Sequence, residues 1–197
     1  MTKVTTAQQG FDKVGTTTEV VVKRIVRSFN KATAQQITEG LWWYAEANEL
    51  VHYLSGTSGY TADQVAAAMA HLSPRLRWSQ NVDSIKMLVL TGELPSYVMS
   101  GPAGRARRAL EAANPELTFG KKAHKTRNFS RNCSGCVNSV TVDVWAAKVV
   151  GISEDQLKLT GVYDAVAHAY RLAAKRVGIE PAHMQAITWI VVRGSAS

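Results

Sequence analysis

The sequence contains few of the features that mark the commonest functional sites. Its two cysteines, Cys133 and Cys136, predict no disulfide framework. No apolar run approaches the roughly 18 residues of a membrane span, and the first 20 residues contain no apolar core of a secretory signal. The nucleotide-binding patterns G-x-x-x-x-G-K-[ST] and G-x-G-x-x-G, the zinc motif H-E-x-x-H and the nucleophile motif G-x-S-x-G are all absent. We therefore expect a cytoplasmic protein without a cofactor or metal.

Acidic residues are scarce between Glu116 and Glu154. Asp143 is the only carboxylate between Glu116 and Glu154, and residues 101–131 hold eight Lys or Arg against two acids. The whole chain has a net charge of +8. Clustered positive charge indicates a polyanionic partner, most commonly nucleic acid. An anionic membrane is a weaker alternative, because no long basic helix with a Trp/Leu face accompanies the charge.

Apolar residues recur at helical spacing through most of the chain. The segment "YDAVAHAYRLAAKRV" gives one apolar stripe and ends at Gly178. Similar patterns follow Thr61, a predicted N-cap, and precede Gly92. Residues 19–29 fit a strand or a helix, and residues 139–142 fit a strand or an extended entry into the next helix. The sequence predicts one all-α domain over residues 19–197, preceded by a flexible arm at residues 1–18.

Two short motifs resemble the helix-hairpin-helix DNA glycosylases of the endonuclease III type. In "HKTRNFSRNCSGCVNSVTVDVW" a Lys-Thr pair, Lys125-Thr126, precedes the Val-Asp pair at Asp143 by 18 residues. Upstream, "HLSPR" resembles the "LSxQ" segment of that family, with Arg75 in the position that contacts DNA. Features such as "WSQN" and "QAITW" are similar to a divergent, phage-borne branch, which would place the protein in the host cytoplasm.

The resemblance implies a two-lobed all-α fold with a central cleft. One lobe would hold residues 60–142, and the other residues 36–59 together with 143–197. It also implies a monomer that binds double-stranded DNA and carries no iron–sulfur cluster, since the four-cysteine motif is missing.

The resemblance implies specific roles for Asp143 and Lys125. A carboxylate at Asp143 would stabilise the oxocarbenium-like sugar formed when the N-glycosidic bond breaks. Lys125 would add to C1′ as a Schiff-base nucleophile, which requires a neutral amine. Neighbouring cations and a helix N-terminus disfavour the ammonium form.

The remaining predicted site residues would bind DNA. The hairpin contains only Gly120 where relatives have a glycine-rich turn, so lysine side chains would bind phosphate in place of backbone amides. Arg75 or Trp78 would fill the gap left by the flipped base. The predicted DNA-binding residues are Arg75, Trp78, Lys121, Lys122, His124, Thr126 and Arg127.

Several residues have simpler interpretations. Cys133 and Cys136 fit half a zinc site, a redox pair or the small residues of a helix end, and the last is favoured because no second pair exists. Asp143 also fits an N-cap, Lys125 a phosphate contact, and the tryptophans Trp42, Trp43, Trp78 and Trp189 core or groove-wall positions. Two other functions stay open: an enzyme that modifies a thymine derivative on the same scaffold, and a non-catalytic DNA-binding protein.

Overall fold

The computed structural model describes residues 6–194, and every regular element among them is helical. In that range the helices are α1 (Ala7–Asp12), α2 (Thr18–Phe29), α3 (Ala34–Ser58), α4 (Ala62–Leu72), α5 (Trp78–Thr91), α6 (Ser100–Glu111), α7 (His124–Cys133), α8 (Val144–Val150), α9 (Glu154–Leu157), α10 (Val162–Val177) and α11 (Pro181–Arg193). A 3₁₀ turn, Pro115–Thr118, separates α6 from α7. Among the described residues no helix combines the length and apolarity needed to cross a membrane. The predicted all-α class is confirmed.

The chain forms two compact units. Within the described residues, the terminal unit contains residues 6–44 and 137–194, and the central unit is Ala45–Cys136. Helix α3 contributes to both, because the boundary falls between Tyr44 and Ala45. The predicted lobes placed the boundaries at 59/60 and 142/143, whereas the structure places them at 44/45 and 136/137.

Helix α10 forms the centre of the terminal unit. Its apolar stripe is buried against α1, α2 and α11, with Tyr170 and Val166 fully inaccessible. Helix α1 comes so close to the start of α10 that a Cβ at Gly10 would lie 2.5 Å from the Gly161 carbonyl oxygen. A glycine is needed at that crossing for this reason.

Helix α4 forms the centre of the central unit. Every residue from Val65 to Leu72 is buried, and the helix packs against α5, α6, α7 and the 3₁₀ turn. Four of these residues are alanines, which allow neighbouring helices to approach closely. Thr61 caps the helix by accepting a hydrogen bond from the backbone N–H of Gln64, as predicted.

The predicted flexible arm is wrong for residues 6–18. Thr6 begins a capping box, α1 follows, and Phe11 is fully buried in the core of the terminal unit. A six-residue helix with one large apolar side chain is too short to show a periodic pattern, and tertiary packing stabilises it. The first five residues of the predicted arm lie outside the described part of the chain.

The two ambiguous segments differ in outcome. Residues 19–29 lie in helix α2, since Val21, Val22 and Ile25 share a buried face. Residues 139–142 are not helical and do not pair with a strand. The buried hydroxyl of Tyr163 donates to the Val140 carbonyl oxygen at 3.2 Å and accepts from the Val142 N–H at 3.0 Å. One side chain thus satisfies backbone groups that a strand would otherwise pair.

Candidate functional site

Asp143 begins helix α8 and has its carboxylate held by three N–H donors. Oδ1 accepts from the backbone N–H groups of Trp145 at 3.0 Å and Ala146 at 2.8 Å. Oδ2 accepts from the indole Nε1 of Trp189 at 2.9 Å. The residue is half-buried. Because donors from α8 and α11 bind different oxygens, the orientation of the carboxylate plane is fixed by charge-assisted hydrogen bonds.

Trp189 is itself held by two ring contacts. Its ring centroid lies 5.3 Å from that of Trp43, with the planes inclined at 37°. The Arg193 guanidinium carbon lies 4.6 Å from the Trp189 ring centroid, within cation–π range. Trp43 and Trp189 are half-buried, whereas Trp42 is 56% exposed. The first two are therefore packed wall residues, and Trp42 presents most of its ring to solvent.

Tyr170 lies on the buried side of α8. Its hydroxyl donates to the Ala146 carbonyl oxygen at 3.3 Å and accepts from Thr188 Oγ1 at 3.5 Å. Burial raises the pKa of Tyr170; the Thr188 hydrogen bond lowers the pKa, and the negative charge of Asp143 raises it again. The net direction is upward, so the phenol stays protonated and remains a donor to the helix that Asp143 caps.

Lys125 occupies the first turn of α7 and is exposed. Within residues 6–194 its amine has no ion pair or hydrogen bond. Ala123, the N-cap of α7, provides no side-chain acceptor, and Thr126 Oγ1 instead donates to the Ala123 carbonyl oxygen at 3.2 Å. Lys125 thus lies next to a helix N-terminus whose first N–H groups receive no side-chain cap.

Arg127 has a structural role that the sequence did not predict. Its Nε lies 3.1 Å from Glu116 Oε1, and its Nη2 donates to the carbonyl oxygens of Phe119 and Gly120, both at 3.1 Å. Arg131 Nη2 binds the same Glu116 oxygen at 2.7 Å. The two arginines therefore attach the loop before α7 to the body of that helix.

Lys121 and Lys122 lie in the turn that Arg127 secures. Both are exposed, and neither has an ion pair or hydrogen bond within the described range. His124 is half-buried at the first position of α7. The two lysine side chains point charge into solvent from a fixed loop, as a phosphate-binding surface requires.

The "HLSPR" segment ends α4 and leads to α5. Arg75 has φ +68°, in the left-handed region, and is the one non-glycine residue of the described chain with a positive φ. Such a conformation is strained for a residue with a Cβ, and Arg75 is exposed. A cavity of about 150 Å³, lined by Leu72, Pro74, Tyr97 and neighbours, adjoins it. Trp78 is half-buried against the core of the central unit, so its ring is packed rather than free.

Cys133 is the last residue of helix α7, and the Cys136 N–H, just after the helix, donates to the Arg131 carbonyl oxygen at 2.8 Å. Cys133 is fully buried, and burial raises the pKa of its thiol. Its carbonyl oxygen accepts from Asn48 Nδ2 at 2.9 Å, and Gly135 adopts φ +93° beside that amide. No group of three or more His, Cys, Asp or Glu residues with metal-binding geometry occurs in the described part of the chain. The structure gives these residues a helix-ending role.

A family model matches residues 8–196 of the chain. It describes a family of unknown function, DUF7178. The chain belongs to this family. No curated protein and no solved structure matches the chain. The match covers both units, so the terminal and central units together form the region that defines the family.

The structure places the predicted site residues in separate units. Asp143 lies in the terminal unit, and the other predicted residues, from Arg75 to Arg127, lie in the central unit. The sequence did not show that Trp189 would bind Asp143 or that Glu116 would bind Arg127. A half-buried tryptophan requires an acceptor for its indole N–H, and one of only two acids in a basic segment has many cations within reach. Both rules indicate that these residues need partners, but neither identifies the partner.

Proposed function

We propose that this protein is a DNA glycosylase that acts on a base flipped out of double-stranded DNA. In this proposal Asp143 stabilises positive charge on the deoxyribose as the N-glycosidic bond breaks. The observation that carries the proposal is the fixed, half-buried carboxylate, held by Trp145, Ala146 and Trp189. A preorganised negative charge stabilises a developing cation without reorganising during the reaction.

Lys125 is the proposed nucleophile if the protein also has lyase activity. Its amine nitrogen would bond to C1′ while the C1′–base bond breaks, and the departing base would keep the bonding electrons and take a proton. After the amine loses a proton, the nitrogen lone pair would form the iminium as the C1′–O4′ bond breaks, with O4′ keeping the bonding electrons and taking a proton. The exposed position at the α7 N-terminus supports access to DNA. Without this step, water would attack C1′, and Lys125 would bind phosphate.

Lyase chemistry has a direct test in borohydride trapping. Reduction of the iminium should join the wild-type protein covalently to a DNA strand, and Lys125→Gln should abolish the adduct while duplex binding persists. Base release without an adduct would restrict Lys125 to phosphate binding. An adduct that survives Lys125→Gln would move the nucleophile to another amine, with Lys122 tested next.

A non-catalytic DNA-binding protein is the second candidate. The observation in its favour is that Asp143 has a complete capping role, with both backbone donors at hydrogen-bonding distance. Capping alone explains an aspartate at this position. The exposed lysines of the central unit would then be the functional residues.

The experiment that separates these functions measures free base. Duplexes with normal, uracil-containing or modified-thymine strands are incubated with the protein, and both the released bases and the intact nucleosides are analysed by mass spectrometry. A glycosylase releases a base from at least one duplex. A modifying enzyme changes the mass of a nucleoside without release, and a binding protein leaves every duplex intact.

A further inference from the structure

The cations of residues 101–131 fall into two groups. Three make contacts within the protein: Arg127 and Arg131 bind Glu116, and Arg107 donates to the Gly92 carbonyl oxygen at 2.5 Å. Five have no ion pair or hydrogen bond within residues 6–194: Arg105, Arg108, Lys121, Lys122 and Lys125. A count of charges in the sequence does not distinguish these eight cations. In the structure, only the five without internal contacts are available to bind a partner.

Arg105 and Arg108 lie on one face of α6. Each side chain runs back along α6 towards the glycine four residues earlier. Arg105 Nη1 lies 3.5 Å from the place that a Cβ would occupy at Gly101, and Arg108 Nη1 lies 3.7 Å from the equivalent place at Gly104. Residues at i and i+3 share a helix face. Arg105 is half-buried and Arg108 exposed, so both guanidinium groups stay near the surface of α6.

His71 lies on α4, which packs against both α6 and the 3₁₀ turn that precedes Lys121 and Lys122. Its Nε2 lies 2.8 Å from Thr118 Oγ1, and its ring stacks on Phe119 with centroids 4.4 Å apart. Burial and then the positive charges of Arg105 and Arg108 together lower the pKa of His71 to about 4. Helix α6 also packs against α4 and against the 3₁₀ turn, so the two arginines lie on a helix that borders the segment leading through Phe119 to Lys121.

The geometry points to a single phosphate-binding face on the central unit, in which Arg105 and Arg108 of α6 extend the surface formed by Lys121, Lys122 and Lys125. The partner is the phosphate backbone of double-stranded DNA, so the inference rests on the proposed function. Glu116 is bound by Arg127 and Arg131, and Glu111, three residues after Arg108 on α6, forms no ion pair within residues 6–194, so five cations face a single acid. A run of cations along one surface matches the regular charge of a duplex.

Salt-dependent binding of a fluorescent duplex tests this face. Each phosphate contact contributes about 0.9 to the slope of log affinity against log salt. Arg105→Gln/Arg108→Gln should therefore flatten the slope by about two units and weaken binding about 50-fold near 0.1 M salt. The matched control, Lys86→Gln/Arg107→Gln, removes the same charge from the central unit and should leave the slope nearly unchanged. Circular dichroism checks that both variants are folded.

The outcomes separate the inference from the proposed function. The inference alone would be overturned if the wild type shows a steep slope of log affinity against log salt and Arg105→Gln/Arg108→Gln leaves that slope unchanged. It would also be overturned if the control variant flattens the slope equally. Failure of the wild type to bind any duplex would overturn both. Binding to phosphatidylserine vesicles but not to the duplex would replace nucleic acid with a membrane surface as the partner. Loss of affinity in the first variant only is the result we expect.

Discussion

The terminal and central units have the same net charge but hold their charges differently. Counted over the whole sequence, the terminal unit has 12 Lys or Arg against 8 acids, and the central unit has 11 against 7. In the terminal unit Glu19 binds Arg176, Asp155 binds Lys158, and the Asp143 carboxylate accepts three hydrogen bonds. In the central unit Arg105, Arg108, Lys121, Lys122 and Lys125 have no such partner within the described chain. Net charge alone therefore does not locate a binding surface.

The difference assigns separate tasks to the two units. A fixed carboxylate is suited to stabilising charge at one atom, whereas exposed cations are suited to binding an extended polyanion at many phosphates. The proposed function needs both tasks. Each of the following predictions tests one side of the comparison.

The largest expected effect on stability is at Tyr163 in the terminal unit. Tyr163→Phe would leave the buried Val140 carbonyl and Val142 N–H without their partner, which should lower the free energy of unfolding by about 2–4 kcal/mol. Urea denaturation measures the change. The control is Tyr53→Phe at a tyrosine that is 62% exposed, where we expect almost no effect. Equal effects at both positions would show that the hydroxyl bridge does not support the segment before Asp143.

The central unit should lose stability in mild acid through His71. Its folded pKa of about 4 lies below the ordinary value of 6.5, so the unfolded chain binds the proton more readily. The stabilisation is therefore present above pH 6.5 and is lost as the pH falls towards 4, by about 2 kcal/mol. Urea titrations at pH 7 and pH 5 should show part of this loss in the wild type and less of it in His71→Gln. An identical pH dependence in the two proteins would contradict this role.

A smaller coupling is expected between Trp189 and Asp143. Trp189→Phe keeps an aromatic ring beside Trp43 and Arg193 but removes the N–H that binds Asp143 Oδ2. A double-mutant cycle with Asp143→Ala should give an interaction energy of about 1.5 kcal/mol, because the hydrogen bond is to a charged group. Urea denaturation of the four proteins measures it. Simple additivity would mean that the indole does not hold the carboxylate.

The smallest effect is at Arg75. Arg75→Gly should relieve the strain of φ +68° and stabilise the protein by less than about 1 kcal/mol, since glycine also gains freedom in the unfolded chain. Arg75→Ala is the control, because it removes the same side chain but keeps the Cβ that causes the strain. A thermal melt in which the Gly variant is no more stable than the Ala variant would refute the assignment of strain.

The helices were predictable from the sequence, whereas the contacts between distant residues were not. Period-3.6 patterns located α4, α5 and α10, and Thr61, Gly92 and Gly178 marked their ends as predicted. Helix α1 was missed because local pattern carries little information over six residues. The extended segment before Asp143 was ambiguous because its hydrogen-bond partner, Tyr163, is about 20 residues away.

The candidate site was predicted residue by residue but not as an arrangement. The N-cap interpretation of Asp143 is confirmed, whereas the catalytic role that its spacing from Lys125 suggested stays a prediction. The indole of Trp189, 46 residues later, could not be inferred from local sequence. Composition identified the basic segment but not that Glu116 would bind Arg127 and Arg131 and leave Arg105 and Arg108 available. Internal pairing depends on tertiary packing, which charge counting does not include.

The most direct test of the central claim is the rate of base release by Asp143→Asn. Asparagine keeps an oxygen for the Trp145 and Ala146 N–H groups and caps helices about as well as aspartate, so the variant should fold. Without the negative charge, the single-turnover rate of base release should fall by about a hundredfold or more, measured on a duplex from which the wild type releases base. Asp155→Asn, which removes an exposed acid of the same unit, should release base at the wild-type rate. Base release by folded Asp143→Asn at the wild-type rate would contradict the account and leave Asp143 as a helix cap only.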